Sequence, residues 1–189
     1  MKQLLFCLSI FLLFTGCKKS ENHPKNFDAD KKITEKLEEF YRIYGKSSDA
    51  IYNQPIPKNL FSSDLEKTFQ KAIDLSKTDI KKVKKSDHPG DKPLLLEGSI
   101  FTSLYEGFTD YKIVSIVVLN DSKPLESSAT VIVELKNTHY PNAKWTDIIR
   151  FINFQESGWK IDNVVFSKKM SQIPDVKTSL QNFISEAKK

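Results

Sequence analysis

Few residues in this chain combine a reactive type with a spacing that suits chemistry, and an acid in an aromatic strand is the clearest. Asp147 lies two residues after Trp145 and two before Ile149, so the three side chains share one face of a strand. An acid that points inward among aromatic side chains is a candidate general base. The alternative is that this end of the face is exposed and that Asp147 pairs with a neighbouring lysine or with Arg150.

Aromatic residues at helical and strand spacing are candidates for the lining of a ligand pocket. They are Tyr41, Tyr44, Tyr105, Trp145 and Phe151, with Tyr111 as a further member. The alternative is a filled core, which we favour because aromatic side chains at these spacings usually pack against one another.

The residues that other common chemistries require are missing or scattered. A metal site needs several convergent ligands, whereas His23, His88 and His139 fall on a tether, a loop and a turn without ligand spacing. Six glycines are too dispersed for a phosphate-binding loop, and no serine nucleophile motif is present. We therefore predict no metal and no cofactor. The net charge of +5 forms no basic stripe interleaved with aromatics, so no nucleic-acid partner is expected.

The N-terminus has the pattern of an export signal. Lys2 supplies a positive charge, residues 4–14 are apolar apart from Ser9, and a polar stretch begins at Lys18. As a helix this apolar run would cover roughly 16 Å, against about 30 Å for the hydrocarbon core of a bilayer, so it is too short to span the membrane. We predict a signal peptide over residues 1–16 and a polar tether over residues 17–29.

The end of this segment carries the one modification site that we predict. Phe14-Thr15-Gly16-Cys17 resembles the lipobox of bacterial lipoproteins, with Phe14 where leucine is usual. The resemblance implies a diacylglycerol on Cys17, cleavage before it, and a lipid anchor in the cell envelope. Lys18 replaces the aspartate that commonly retains such proteins in the inner membrane, which favours the outer membrane of a two-membrane bacterium. The alternative is an ordinary signal peptide with an incidental cysteine.

Helical spacing of apolar residues predicts the elements of the first half. A helix is expected over residues 30–44, and a second begins at the capping-box pattern Ser63-Asp64-Leu65-Glu66 and ends near the lysines of residues 81–85. Those lysines suit a solvated helix end, although contact with acidic lipids or a partner is the alternative. Residues 94–108 are expected to form a short helix or strand, and residues 175–188 a packed terminal helix or an amphipathic tail.

After residue 90 the spacing of apolar residues changes toward two, which predicts strands. Four are expected, over residues 111–119, 129–136, 145–155 and 159–166, joined by turns. Helices followed by a meander of antiparallel strands indicate an α+β fold, with the N-terminal helices packed on a curved antiparallel sheet. We place this domain at residues 30–170, followed by a C-terminal helix or tail over residues 171–189.

Several motifs within residues 33–166 resemble a known family. They are Pro93-Leu94-Leu95 followed by Phe101, Tyr105 and Gly107, the strand at residues 129–133, and the closing segment at residues 158–164. Together they look like the DUF3828 family, a group of uncharacterised bacterial proteins that includes many lipoproteins. The resemblance implies a cone-shaped NTF2-like fold and an envelope location. It supplies no catalytic residues.

Two functions from different classes follow. The first is a lipid-anchored, non-catalytic module that binds a small molecule, a peptide or another envelope protein. The second is a small-molecule isomerase or dehydratase, which requires an open pocket with Asp147 pointing into it. A pilotin-like chaperone is a third option, which the sequence neither supports nor excludes.

Overall fold

The computed structural model describes residues 27–48, 50–120, 126–140, 143–154 and 157–187. The predicted signal peptide, Cys17 and most of the predicted tether lie outside these residues. The described chain forms three α-helices, a short 3-10 helix at Ile51–Asn53 and a four-stranded antiparallel sheet, which confirms the α+β class. None of the helices in these ranges is long and apolar enough to cross a membrane.

Helix α1 spans Phe27–Tyr44 and begins three residues before the predicted start, with Asp28 and Asp30 in the first turn where acids suit the helix dipole. It ends at Gly45, whose N–H donates to the carbonyl of Tyr41 at 2.9 Å. A Cβ on Gly45 would lie 2.4 Å from that same carbonyl oxygen, so only glycine fits this close approach.

Helix α2 spans Ser63–Lys84, and its cap lies one residue earlier than the capping-box pattern predicted. Ser62 has extended backbone and accepts a hydrogen bond from the N–H of Leu65 at 3.3 Å. The N–H of Ser62 donates to the carbonyl of Ile161 at 2.8 Å, which holds Ser62 outside the helix and leaves Ser63 as its first residue. The predicted lysines do fall in and just after the last turn.

The sheet is a meander of strands β1 (Asp110–Asn120), β2 (Glu126–Asn137), β3 (Ala143–Phe154) and β4 (Lys160–Val165) in that order, so all four predicted strands are present. The register shifts once between β1 and β2 and once between β3 and β4. These irregularities leave Val114 and Asp162 without direct partners. Such bulges bend a sheet and increase its twist.

The two faces of the sheet have different environments. On the inner face, alternate residues of β2 and β3, including Val133, Trp145 and Ile149, are buried in one core with α1 and α2. On the outer face, Val114 and Val117 are exposed. Because strand side chains alternate between faces, this pattern determines which residues are in the interior.

The segment at residues 94–108 forms neither the short helix nor the strand that the sequence predicted. It crosses the domain as an irregular loop, attached by isolated bridges between Gly98 and Ser48 and between Gly107 and Lys46. Both glycines have positive φ, +83° and +77°, which interrupts regular structure. The loop therefore takes its shape from its contacts with the rest of the domain.

The C-terminal region forms a packed helix rather than a frayed tail. Helix α3 spans Val176–Glu186, and Asp175 caps it by accepting a hydrogen bond from the N–H of Thr178 at 2.8 Å. Val176, Leu180 and Ile184 are buried in the same core as the sheet. The helix is thus part of the domain and not an appendage after residue 170.

Candidate functional site

Asp147 is wholly buried on the inner face of β3 and accepts five hydrogen bonds. Its Oδ2 accepts from the Thr102 hydroxyl at 2.8 Å, the Ser103 N–H at 3.0 Å and the Trp145 indole N–H at 3.2 Å. Its Oδ1 accepts from the Ser103 hydroxyl and from the N–H of Ser167 at 3.2 Å. The carboxyl group therefore joins β3 to the loop at residues 94–108 and to the chain that follows β4.

Of the two arrangements that the sequence left open for Asp147, the structure shows the inward one and not the exposed one paired with a cation. Arg150 lies three positions after Asp147 on β3, and an odd separation along a strand puts two side chains on opposite faces. Arg150 is therefore exposed. No salt bridge among the described residues involves Asp147, so neutral donors replace the water that it loses on burial. Both oxygens are occupied and the side chain has no exposed surface, which leaves neither free to reach a substrate proton.

The predicted pocket aromatics mostly belong to the packed core. Tyr41 lies with its ring centroid 4.7 Å from that of Tyr111, and Tyr44 lies 4.8 Å from Phe101. These are contact distances between rings, with no room for a ligand between them. Tyr44 and Phe101 join Phe40, Phe61 and Phe69 in one aromatic cluster.

The other three predicted pocket residues are distributed differently. Trp145 and Phe151 are buried on the inner face of β3, and Trp145 also donates to Asp147. Tyr105 lies on the surface with 56% of its area exposed, so it lines no interior pocket. A Cβ on Gly98 would lie 2.2 Å from the Tyr105 ring, which explains why glycine is needed beneath it.

Two tyrosine hydroxyls are buried without a hydrogen-bond partner among the described residues, those of Tyr41 and Tyr44. Burial raises the pKa of both phenols, and for Tyr41 the negative charge of Asp147 raises it further. Both hydroxyls therefore stay neutral in the folded protein at any ordinary pH. Each tyrosine ring therefore contributes apolar contacts to the core, while its hydroxyl is a polar group without a hydrogen-bond partner among the described residues.

The donors of Asp147 were missed by the sequence analysis. Thr102 and Ser103 lie in a loop with no apolar period, between Gly98 and Gly107. The available signal was indirect: a buried acid requires donors, and hydroxyl residues in a glycine-punctuated segment can supply them. Which hydroxyls reach Asp147 depends on contacts across more than 40 positions of the chain.

The described residues also contain two open clefts, and no predicted pocket aromatic lines either of them. One, of about 460 Å³, lies between α2 and α3 and is lined by Lys67, Lys71 and Gln181 among others. The other, of about 340 Å³, lies between α1 and the connection from β3 to β4. Within the described ranges no three His, Cys, Asp or Glu side chains are grouped so that they could hold a metal ion.

Comparison of the chain with protein-family models, with curated proteins and with solved structures finds no match. The resemblance to the DUF3828 family therefore stays a prediction.

We expect Asp147→Asn to lower the free energy of unfolding by about 2–4 kcal/mol, because in either orientation the amide nitrogen would face at least one backbone or indole N–H, which cannot accept a hydrogen bond. The matched control is Asp162→Asn, which weakens a partly exposed pair with Lys177 and should lose less than about 1 kcal/mol. Urea unfolding followed by tryptophan fluorescence measures both. Equal losses in the two variants would contradict the structural importance of the Asp147 network.

Because the phenols of Tyr41 and Tyr44 are buried, we expect the folded protein to lose stability in alkali. Their folded pKa values lie above the unfolded value of about 10, so the stability they contribute is complete below that pH and declines as the pH rises above it. In the double variant Tyr41→Phe/Tyr44→Phe, the free energy of unfolding should decline less steeply with rising pH. Stability at pH 7 should be unchanged or higher by about 1 kcal/mol, since two unpaired hydroxyls are removed.

Urea unfolding between about pH 7 and pH 11 tests this expectation. Tyr140→Phe, at a surface position, is the control and should change neither quantity. A large loss of stability in the double variant at pH 7 would mean that the hydroxyls do have partners.

Proposed function

We propose that this chain is a bacterial envelope lipoprotein, anchored through Cys17, whose exported domain binds another envelope protein and catalyses no reaction. The lipobox-like sequence ending at Cys17 supports the anchor. The single observation that carries the rest is the occupied interior: the inward acid accepts hydrogen bonds from the protein, and the buried aromatic side chains pack against one another. Lys18 after the cysteine supports the outer membrane of a two-membrane bacterium.

The state of Asp147 favours a binding module over an isomerase or dehydratase. Such an enzyme needs an inward acid with a free oxygen at the wall of an open pocket. Asp147 has no exposed surface, and its two oxygens accept five hydrogen bonds from the protein. Turnover would require those bonds to break before any substrate could approach.

The outer face of the sheet is the surface that we assign to the partner. Val114 and Val117 are exposed there, and Ile132 and Ile148 pair across β2 and β3 on the same face. Arg150 is an exposed charge beside them. An apolar surface with charged neighbours is typical of protein interfaces, whereas small molecules usually bind in concave sites.

The resemblance to the DUF3828 family extends the proposal to an NTF2-like cone. Two bulges that bend the antiparallel sheet support this architecture, as do two N-terminal helices buried against its inner face. The cone would give the outer face a convex shape, which suits a partner that is itself a protein.

We expect Cys17→Ala to abolish incorporation of an alkyne-tagged fatty acid and to remove the protein from the membrane fraction. The reason is that the thiol which carries the diacylglycerol is gone. Cys7→Ala, inside the predicted signal peptide, is the matched control and should keep the label. A labelled Cys17→Ala protein would show that the anchor is elsewhere.

The sheet face is tested with a photo-crosslinking amino acid at Val117, introduced in the native bacterium. One adduct of defined mass, identified as a second envelope protein, is the expected result. Lys67 on α2 is the control position, because it is exposed on a charged surface, and should give no such adduct. If both positions give the same products, or neither gives any, the outer face is not the binding surface.

A further inference from the structure

We propose that the end of the domain where α1 begins lies on the bilayer, with Phe27, Leu119 and Phe154 entering the membrane interface. This anchor end, as we call it, comprises the start of α1 and the strand ends at the β1–β2 and β3–β4 connections. The proposal rests on the lipid anchor at Cys17 and adds an orientation that the anchor by itself does not determine.

The strand register brings Leu119 and Phe154 to the same end of the sheet. Leu119 pairs with Ser128 near the start of β2, and Phe154 pairs with Glu126, the first residue of β2. Leu119 is the second-last residue of β1 and Phe154 is the last residue of β3, so both lie at the ends of their strands. Their exposed fractions are 48% and 50%.

Helix α1 begins at this same end. Lys32 and Glu35 of its first half line a cleft together with Ser157 and Trp159, which belong to the β3–β4 connection. The other end of the helix approaches the opposite end of the sheet, where Tyr41 contacts Tyr111 near the start of β1. Phe27, the first residue of α1, is thus directed toward the anchor end, and 79% of its surface is exposed.

The length of the chain before α1 limits how the domain can turn. Ten residue steps separate Cys17 from Phe27, which reach at most roughly 35 Å when fully extended. Strand β2 has 12 residues and is itself roughly 36 Å long. The opposite end of the sheet could therefore reach the bilayer only with the chain stretched along the whole domain, whereas the anchor end reaches it without extension.

The attraction is apolar rather than electrostatic. Lys31 and Lys32 are paired with Glu35 and Asp28, so α1 presents little net charge to a headgroup layer. Exposed phenylalanine and leucine side chains partition into the interfacial region of a bilayer regardless of headgroup charge. The contact should therefore form on a zwitterionic membrane.

The test uses the lipidated full-length protein in phosphatidylcholine vesicles with brominated acyl chains. Because Cys7 leaves with the predicted signal peptide and Cys17 carries the lipid, a cysteine introduced by Leu119→Cys is the sole free thiol for a fluorescent label. Tyr140→Cys is the matched control: its exposed fraction is 46%, against 48% for Leu119, and it follows β2 at the opposite end of the sheet. We expect at least about twofold stronger quenching at position 119.

A second labelled site and a charge variant keep the test decisive if one substitution unfolds the protein. Phe154→Cys should be quenched like Leu119→Cys, and adding Phe27→Asp should reduce quenching at either site. Equal quenching at positions 119 and 140, or stronger quenching at 140, would overturn the proposed orientation while leaving the anchor intact. Folded protein that does not float with the vesicles would instead refute the anchor, and the orientation with it.

Discussion

The architecture depends on satisfying the hydrogen bonds of one buried carboxyl group. The Asp147 side chain is removed from water on β3, and no cation among the described residues pairs with it, so hydrogen-bond donors must replace the lost hydration. Those donors come from Thr102 and Ser103 in the irregular loop and from Ser167 after β4. One carboxyl group thus determines where two segments without regular structure lie against the sheet.

The contacts that satisfy Asp147 also close off access to it, and the neighbouring space is occupied by aromatic rings in direct contact. What the domain presents to other molecules is its surface. We propose two roles for that surface: the exposed valines of the outer sheet face bind a protein, and the apolar side chains near the start of α1 meet a lipid interface.

Local periodicity explains why much of the fold could be predicted from the sequence. Apolar residues at helical spacing in α1 and α2, and alternate burial along β2 and β3, reflect only the geometry of each element and which face it buries. The inward orientation of Asp147 follows from the same alternation with Trp145. The predicted export signal and the lipobox-like sequence ending at Cys17 are likewise local patterns, which can be recognised without knowledge of the fold.

The features that only the tertiary structure decided have no such periodicity in the sequence. The loop at residues 94–108 has its conformation set by Gly98, Gly107 and contacts with distant parts of the chain, so the sequence did not show which of its residues donate to Asp147. Ser62 rather than Ser63 caps α2 because β4 holds its backbone, and α3 packs because the core offers space for Leu180. Spacing along the chain determines which residues can be buried, whereas only the packed fold decides which distant groups they meet.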